Sequence, residues 1–199
     1  MKEFRRCTKC VMDNLSDDTI TFDENGVCNY YLDAVAQMKS GSYLPNEEGK
    51  KKLNEIIARI KKDGEGKEYD CLMGISGGLD SSYLAYLGAV KWGLRIMAVH
   101  VDDGFDTDLA KHNIMNLCDT CHIELKTITP DAVQFNDLTR AFILAELPNV
   151  ATPQDNVLFA CLFDYAKRHH IKYFLSGGNF ALECILQKSK GGTNTMDMV

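Results

Sequence analysis

The sequence predicts an α/β protein, a parallel sheet with helices on both faces, preceded by a small cysteine-containing module. Two observations carry this. From residue 70 onward, short apolar runs alternate with longer helical stretches, the pattern of right-handed crossovers between parallel strands. One of those runs, residues 71–75, passes directly into Ser76-Gly77-Gly78-Leu79-Asp80-Ser81-Ser82 and then into a helical stretch. A strand, a glycine turn and a helix start follow one another there without a break.

Residues 1–45 stand apart as a first module and linker. They carry Cys7 and Cys10 two residues apart, Asp-rich turns, and Phe22-Asp23-Glu24-Asn25-Gly26-Val27-Cys28, in which Asn25-Gly26 is a hairpin signal. Residues 41–46 read as the linker, and 46–199 as the α/β domain. The stretch 47–63 is an amphipathic helix. Asn46 caps it, Glu47 and Glu48 occupy its first turn, Gly64 ends it, and Leu53, Ile56, Ile57 and Ile60 fall on one face. Strands are expected at 70–75, 95–101, 123–128 and 171–176, and helices at 80–91, 108–120, 131–146 and 154–169. Cys71, Cys161 and Cys184 sit singly in apolar surroundings and read as buried thiols. Cys118 and Cys121, followed by His122, have ligand spacing, but near the end of an apolar-faced helix they read as packing.

With 199 residues, 45% of them apolar and 25% charged, the composition is that of a globular chain with one main domain and a small appendage. No apolar run approaches the ~20 residues that cross a bilayer. The start, MKEFRRCTKC, lacks the apolar core of a signal peptide. A cytoplasmic location is expected. The net charge of −6 disfavours a broad nucleic-acid surface.

The turn at 76–82 has the makings of an anion cradle. Its glycines permit unusual backbone angles and close approach of a ligand. The first amides of the following helix and the positive end of its dipole face whatever sits in the turn. The hydroxyls of Ser76, Ser81 and Ser82 add donors. A phosphate is the natural guest, although no Lys follows the glycines as a Walker A loop requires. In parallel sheets ligands bind beyond the carboxyl ends of the strands. The run 95–101 ends at Asp102-Asp103-Gly104, and 171–176 ends at Gly177-Gly178-Asn179, with Glu183 a turn further on. Asp102 is placed to accept from a ribose hydroxyl or an adenine amine. The alternative for both segments is an ordinary capped turn.

The segment 76–82 resembles the S-G-G-x-D-S signature of the PP-loop ATP pyrophosphatase superfamily, which attaches AMP to a substrate oxygen and releases pyrophosphate. A narrower resemblance rests on the order of several segments. These are Arg6-Cys7-Thr8-Lys9-Cys10-Val11-Met12-Asp13, Ile20-Thr21-Phe22-Asp23-Glu24-Asn25-Gly26-Val27-Cys28-Asn29, Gly74-Ile75 with the loop, Val99-His100-Val101-Asp102-Asp103-Gly104, Ser176-Gly177-Gly178-Asn179 and Glu183-Cys184-Ile185-Leu186. Together they are similar to the N-acetyl sugar amidotransferases of surface-polysaccharide and lipopolysaccharide pathways. The resemblance implies that ATP activates the acetamido oxygen of an N-acetylated sugar and that ammonia replaces it, giving an acetamidino group. It implies a separate glutaminase subunit as ammonia source and a further copy of the chain as a partner. It places ATP on Ser76, Gly77, Gly78, Asp80, Ser81, Ser82, Asp102, Gly177 and Gly178. Mg²⁺ falls to Asp80, and catalytic roles fall to Asp80, Ser81, Asn179 and Glu183.

The chain departs from the family at two points. The family's first module carries two C-x-x-C pairs, whereas here Cys7 and Cys10 are joined by Cys28 with Tyr31 where a fourth cysteine belongs. That leaves two alternatives: zinc on Cys7, Cys10 and Cys28, completed by water, Asp33 or another residue, or no metal. The family also continues past the point where this chain ends, so a shortened relative is expected. Two other functions compete with sugar amidotransfer: a PP-loop tRNA thiolation enzyme and a nucleotide-binding subunit without turnover.

Overall fold

Four parallel strands in the order β3-β2-β1-β4 form the centre of the α/β unit. They are β1 (Cys71–Gly74), β2 (Ile96–Val101), β3 (Glu124–Ile128) and β4 (Phe174–Leu175). The computed structural model describes residues 3–15, 17–39, 43–147 and 150–178. The chain forms two compact units, one running to Lys52 and one containing Leu53–Gly178.

All six residues of β2 are buried, as a central strand covered on both faces must be. Its pairing sets Met73 against Ala98 and Gly74 against Val99. Alternation then sorts the side chains into two cores. Met73, Ile75, Ile96 and Ala98 pack with Ile57, Ile60, Ala85, Ile114 and Cys118. Leu72, Met97 and Val99 pack on the opposite face with Leu162 and Ile171. The first face therefore belongs to α2 (Glu47–Asp63), α3 (Leu79–Tyr86) and α4 (Asp108–Cys121), and the second to α6 (Thr152–Arg168). Helix α5 (Ala132–Leu144), capped by Asp131 accepting from the Gln134 N–H, leads into α6.

Four differences from the sequence reading have physical causes. Only Ile57 and Ile60 of the expected α2 face are buried, while Leu53 and Ile56 are 39% and 43% exposed. Within the α/β unit it is the last turns of α2 that join the core. The helix expected over 80–91 is α-helical only to Tyr86 and closes with a π turn, Leu87–Lys91. There the Trp92 N–H donates to the Leu87 carbonyl at 2.8 Å. A Cβ on Gly88 would lie 2.7 Å from Ile96 Cδ1, so the turn sits hard against the sheet. Strand β4 is two residues rather than six: among the described residues it stands at the edge of the sheet and pairs with β1 at Leu72 and Met73. Helix α1 (Asn29–Gln37), within the first module, was not expected.

Cys118 and Cys121 are buried at the end of α4, and Cys118 belongs to the core. Burial pushes the Cys118 thiol up to about 11 and the Cys71 thiol up to about 12. Both behave as small apolar groups. Cys161, half-buried, packs beside Leu162. Cys184 lies outside the described residues. Among those residues, no helix is long and apolar enough to cross a membrane.

Candidate functional site

The glycine turn leaves β1 through Ile75 and enters α3 at Gly78. Gly77 has φ +73°, and a Cβ there would meet the Ala110 carbonyl oxygen at 2.6 Å. The first turn of α4 is thus seated directly on the loop, and only glycine fits at that contact. Gly78 is the N-cap, in extended conformation and with no side chain to cap the helix. The first-turn amides of α3 therefore have neither intrahelical acceptors nor a side-chain cap. Inside the turn, Ser76 Oγ and Ser81 Oγ are 3.2 Å apart, the Gly78 N–H donates to Ser76 Oγ at 3.4 Å, and Ser81 Oγ donates to the Gly78 carbonyl at 3.2 Å. These bonds tie Ser76, Gly78 and Ser81 together where the loop enters α3. Asp80 is exposed in the first turn of α3.

Gly177 arrives from β4. A Cβ on it would stand 3.2 Å from the backbone N and Cα of Ser81. The fold thus brings the exit of β4 onto the start of α3, joining two segments that are 96 residues apart in sequence (177 − 81). Asn179 and Glu183 lie outside the described residues.

The exit of β2 is built on charge. Asp102, expected as a nucleotide acceptor, is held by Lys111 of α4, whose Nζ stands 2.9 and 3.1 Å from its two oxygens. The Lys111 ammonium holds the Asp102 carboxyl below the usual range, and the carboxylate in turn raises the lysine. Asp103 accepts from the Phe105 N–H, a turn bond. Two residues before Asp102, the ring of His100 is buried between the Ile75 carbonyl and the Asp106 carboxylate, 3.0 Å from each. In the first turn of α6, Asp155 is partly buried and its carboxyl is raised by that burial.

Sequence reasoning missed Lys111, His100 and Asp155. His100 stood in the sequence as a polar residue inside the apolar run 95–101 and as part of the Val99–Gly104 segment, with no role assigned to it. Lys111 and Asp155 left no signal, because their partners and surroundings are set by how α4 and α6 cross the sheet.

In the first module the three cysteines come together. Sγ atoms of Cys7, Cys10 and Cys28 lie within 4.8 Å of one another, and those of Cys10 and Cys28 are 3.5 Å apart. Backbone N–H groups point at the sulfurs: Cys28 N donates to Cys7 Sγ at 3.2 Å, and Lys9 N to the same atom at 3.4 Å. Burial opposes the Cys7 thiolate, but these donors outweigh it and lower the thiol to about 7, whereas burial pushes Cys10 up to about 12. Sulfurs around a tetrahedral zinc at about 2.3 Å are roughly 3.8 Å apart, so this donor set fits the ion. Tyr31 brings no sulfur, but its backbone N–H reaches Cys28 Sγ at 3.4 Å as α1 begins. Among the described residues the cluster holds these three cysteines and not Asp33.

No family model matches the chain. Over 127 residues it is 29% identical to an uncharacterized protein of Methanocaldococcus jannaschii, an alignment covering 63% of this chain and 43% of that protein. The chain therefore spans less than half the length of this curated relative. Among solved structures it is similar to the glutamine-dependent NAD+ synthetase of Acinetobacter baumannii, in complex with adenosine diphosphate. That likeness has a TM-score of 0.50 at 14% identity, over 63% of this chain and 24% of that one. It is also similar to an NH3-dependent NAD synthetase from Campylobacter jejuni, with a TM-score of 0.46 at 20% identity, over 65% of this chain and 56% of that one. At 14% identity the likeness to the Acinetobacter structure is one of fold alone.

Proposed function

We propose that the chain is an ATP-dependent amidotransferase that adenylylates the acetamido oxygen of an N-acetylated sugar and exchanges that oxygen for ammonia. The observation that carries the reading is the loop itself. A left-handed Gly77, an uncapped α3 N-terminus and the paired hydroxyls of Ser76 and Ser81 meet at the carboxyl edge of a parallel sheet. The sugar as substrate rests on the ordered sequence resemblance.

An amide carbonyl is a poor electrophile and its oxygen a very poor leaving group. In the proposed reaction that oxygen attacks the α-phosphorus of ATP, the bond to the β-phosphate oxygen breaks, and pyrophosphate stays in the loop. Ammonia then adds to the activated carbon, AMP departs with the former acetamido oxygen, and the added nitrogen gives up a proton. Ser76, Gly77, Gly78, Ser81 and Ser82 hold the pyrophosphate portion by hydrogen bonds that strengthen as charge develops on it. Asp80, exposed beside the loop, would hold Mg²⁺, which supplies charge neutralisation between the phosphates. Lys111 and Asp102 form the polar wall at the adjacent strand end, and Gly177 lies against Ser81 at the same edge; catalytic roles for Asn179 and Glu183 rest on the sequence resemblance. Zinc on the three cysteines has a structural role in the first module. A glutaminase subunit supplies the ammonia.

The test is to incubate the protein with ATP, Mg²⁺, ammonium chloride and a panel of N-acetylated sugar nucleotides, and to follow AMP and pyrophosphate. Sugar-dependent formation of both is expected. Absence of both across the panel, from protein shown to be folded, refutes the activity.

A further inference from the structure

We infer that His100 is a positioning residue for the nucleotide site: its ring, protonated on both nitrogens, clamps the root of the glycine loop to the segment that follows β2. The inference rests on the nucleotide reading above for its functional consequence, and on hydrogen-bond geometry for the clamp itself.

The ring is 6% exposed and lies within the sheet. Its Nδ1 is 3.0 Å from the carbonyl oxygen of Ile75, the last residue before Ser76. Its Nε2 is 3.0 Å from Oδ2 of Asp106, the residue before the N-cap of α4. Both partners are acceptors: a carbonyl oxygen has no proton to give, and neither does a carboxylate. A neutral imidazole has one N–H, so either neutral tautomer would leave a lone pair facing an acceptor in a buried site. The form with an N–H on each nitrogen satisfies both contacts, one of them as a charge-assisted bond. The charged groups around the ring are Asp106, Asp102 and Lys111, the last already paired with Asp102. Lys111 also acts on Asp106 through space, but it is the ring nitrogen that stands in hydrogen-bond contact with the Asp106 carboxylate.

What the clamp joins gives it its role. Ile75 is fixed to β2 on one side by its own N–H, which donates to the Val99 carbonyl at 2.9 Å. His100 fixes its carbonyl on the other. Asp106 leads through Thr107, which caps α4 by accepting from the Ala110 N–H at 3.2 Å. Ala110 is the residue whose carbonyl abuts Gly77. A closed path thus runs from the loop root through His100, Asp106 and the α4 cap back to the middle of the loop. Cutting it at Asp106 frees the α4 end of that path while leaving the sheet intact.

The test pairs ¹⁵N NMR of the imidazole ring with calorimetry of ATP and Mg²⁺ binding, on the full chain and on Asp106→Ala and His100→Gln. At neutral pH the wild-type ring is expected to show both nitrogens protonated, with slowly exchanging protons, and D106A to lose the Nε2 signature. D106A should weaken ATP binding by about tenfold or more, the loss of one charge-assisted hydrogen bond. H100Q should do the same if it folds; D106A alone decides the matter if it does not. A merely structural histidine would lower the unfolding temperature and leave the affinity alone. A singly protonated wild-type ring, or D106A binding ATP as the wild type does, overturns the inference. A wild-type protein that binds no ATP refutes the nucleotide site itself, whereas ATP binding indifferent to D106A refutes only the clamp.

Discussion

Gly77→Ala isolates the loop geometry from its chemistry, because it removes no donor and adds one methyl group. Two costs follow. At φ +73° an alanine sits in the left-handed region, at about 1–2 kcal/mol. Its Cβ would also lie 2.6 Å from the Ala110 carbonyl oxygen and 3.1 Å from the Ala110 carbonyl carbon. These are backbone atoms of a capped helix, which cannot swing away as a side-chain end can. Relieving that overlap by shifting loop or helix costs about 1–2 kcal/mol more, as an extra methyl in a packed site does. The sum, roughly 2–4 kcal/mol, lowers the thermal midpoint by about 6–12 °C at the centre of that range for a chain of this size. Gly78→Ala is the internal control. Its backbone is extended, φ −75° and ψ 165°, and its Cβ would meet only Ser76 Oγ at 3.3 Å. Losing a glycine N-cap to alanine costs at most about 1 kcal/mol. Differential scanning calorimetry and ATP titration on both variants form the assay. G77A should lose stability and ATP affinity together, because the shifted loop no longer directs its amides inward. Equal behaviour of G77A and G78A in either measurement would refute the claim that α4 seats the loop.

Other consequences are more local. Asp80→Ala should abolish Mg²⁺-dependent AMP formation with the unfolding midpoint unchanged, since the side chain is exposed; unchanged turnover removes its assigned role. Zinc should bind at one equivalent per chain by elemental analysis and raise the thermal midpoint, and Cys28→Ala should remove both effects, the thiol being fully buried beside the other two. Arg95→Ala should cost about 2 kcal/mol in urea denaturation, discounted because the arginine is half exposed. It strips the Arg95 side chain from the buried Asp70 carboxylate, whose Oδ1 the guanidinium meets at 2.5 Å. Burial works against that carboxylate, but the Arg95 bonds outweigh it and hold Asp70 below its ordinary value. Its contribution is therefore complete above the unfolded value of about 4 and is lost as pH falls through the folded one. Wild-type stability should fall more steeply than that of R95A in this acid range, and parallel curves would refute the pairing.

The loop was legible because every part of it is local. Strand, glycines, serines and helix start occupy consecutive positions, and the chemistry of each residue type is enough to read a cradle from them. The same holds for the period of α4 and for β2, whose apolar run, broken only by His100, points to a central strand. What could not be read depends on crossing angles and register. Asp102 looked like a free acceptor at a strand end. Whether it is free depends on Lys111, nine residues on, and only the packing of α4 against the first face of the sheet decides that a lysine there reaches back. His100 is the sharper case. In sequence it is one polar residue in an apolar strand, a bland feature. Only the pairing of β1 with β2 sets it opposite the Ile75 carbonyl, and only the turn through Gly104 returns Asp106 to its far side. Tyr31 makes the complementary point. Side-chain reasoning marked it as a missing ligand, yet its backbone N–H serves Cys28 as α1 begins. The group that matters there is one that every residue except proline carries, so no side chain could have announced it. The local and obligatory parts of the site are thus written in residue types, and the parts that tune it are written in the sheet.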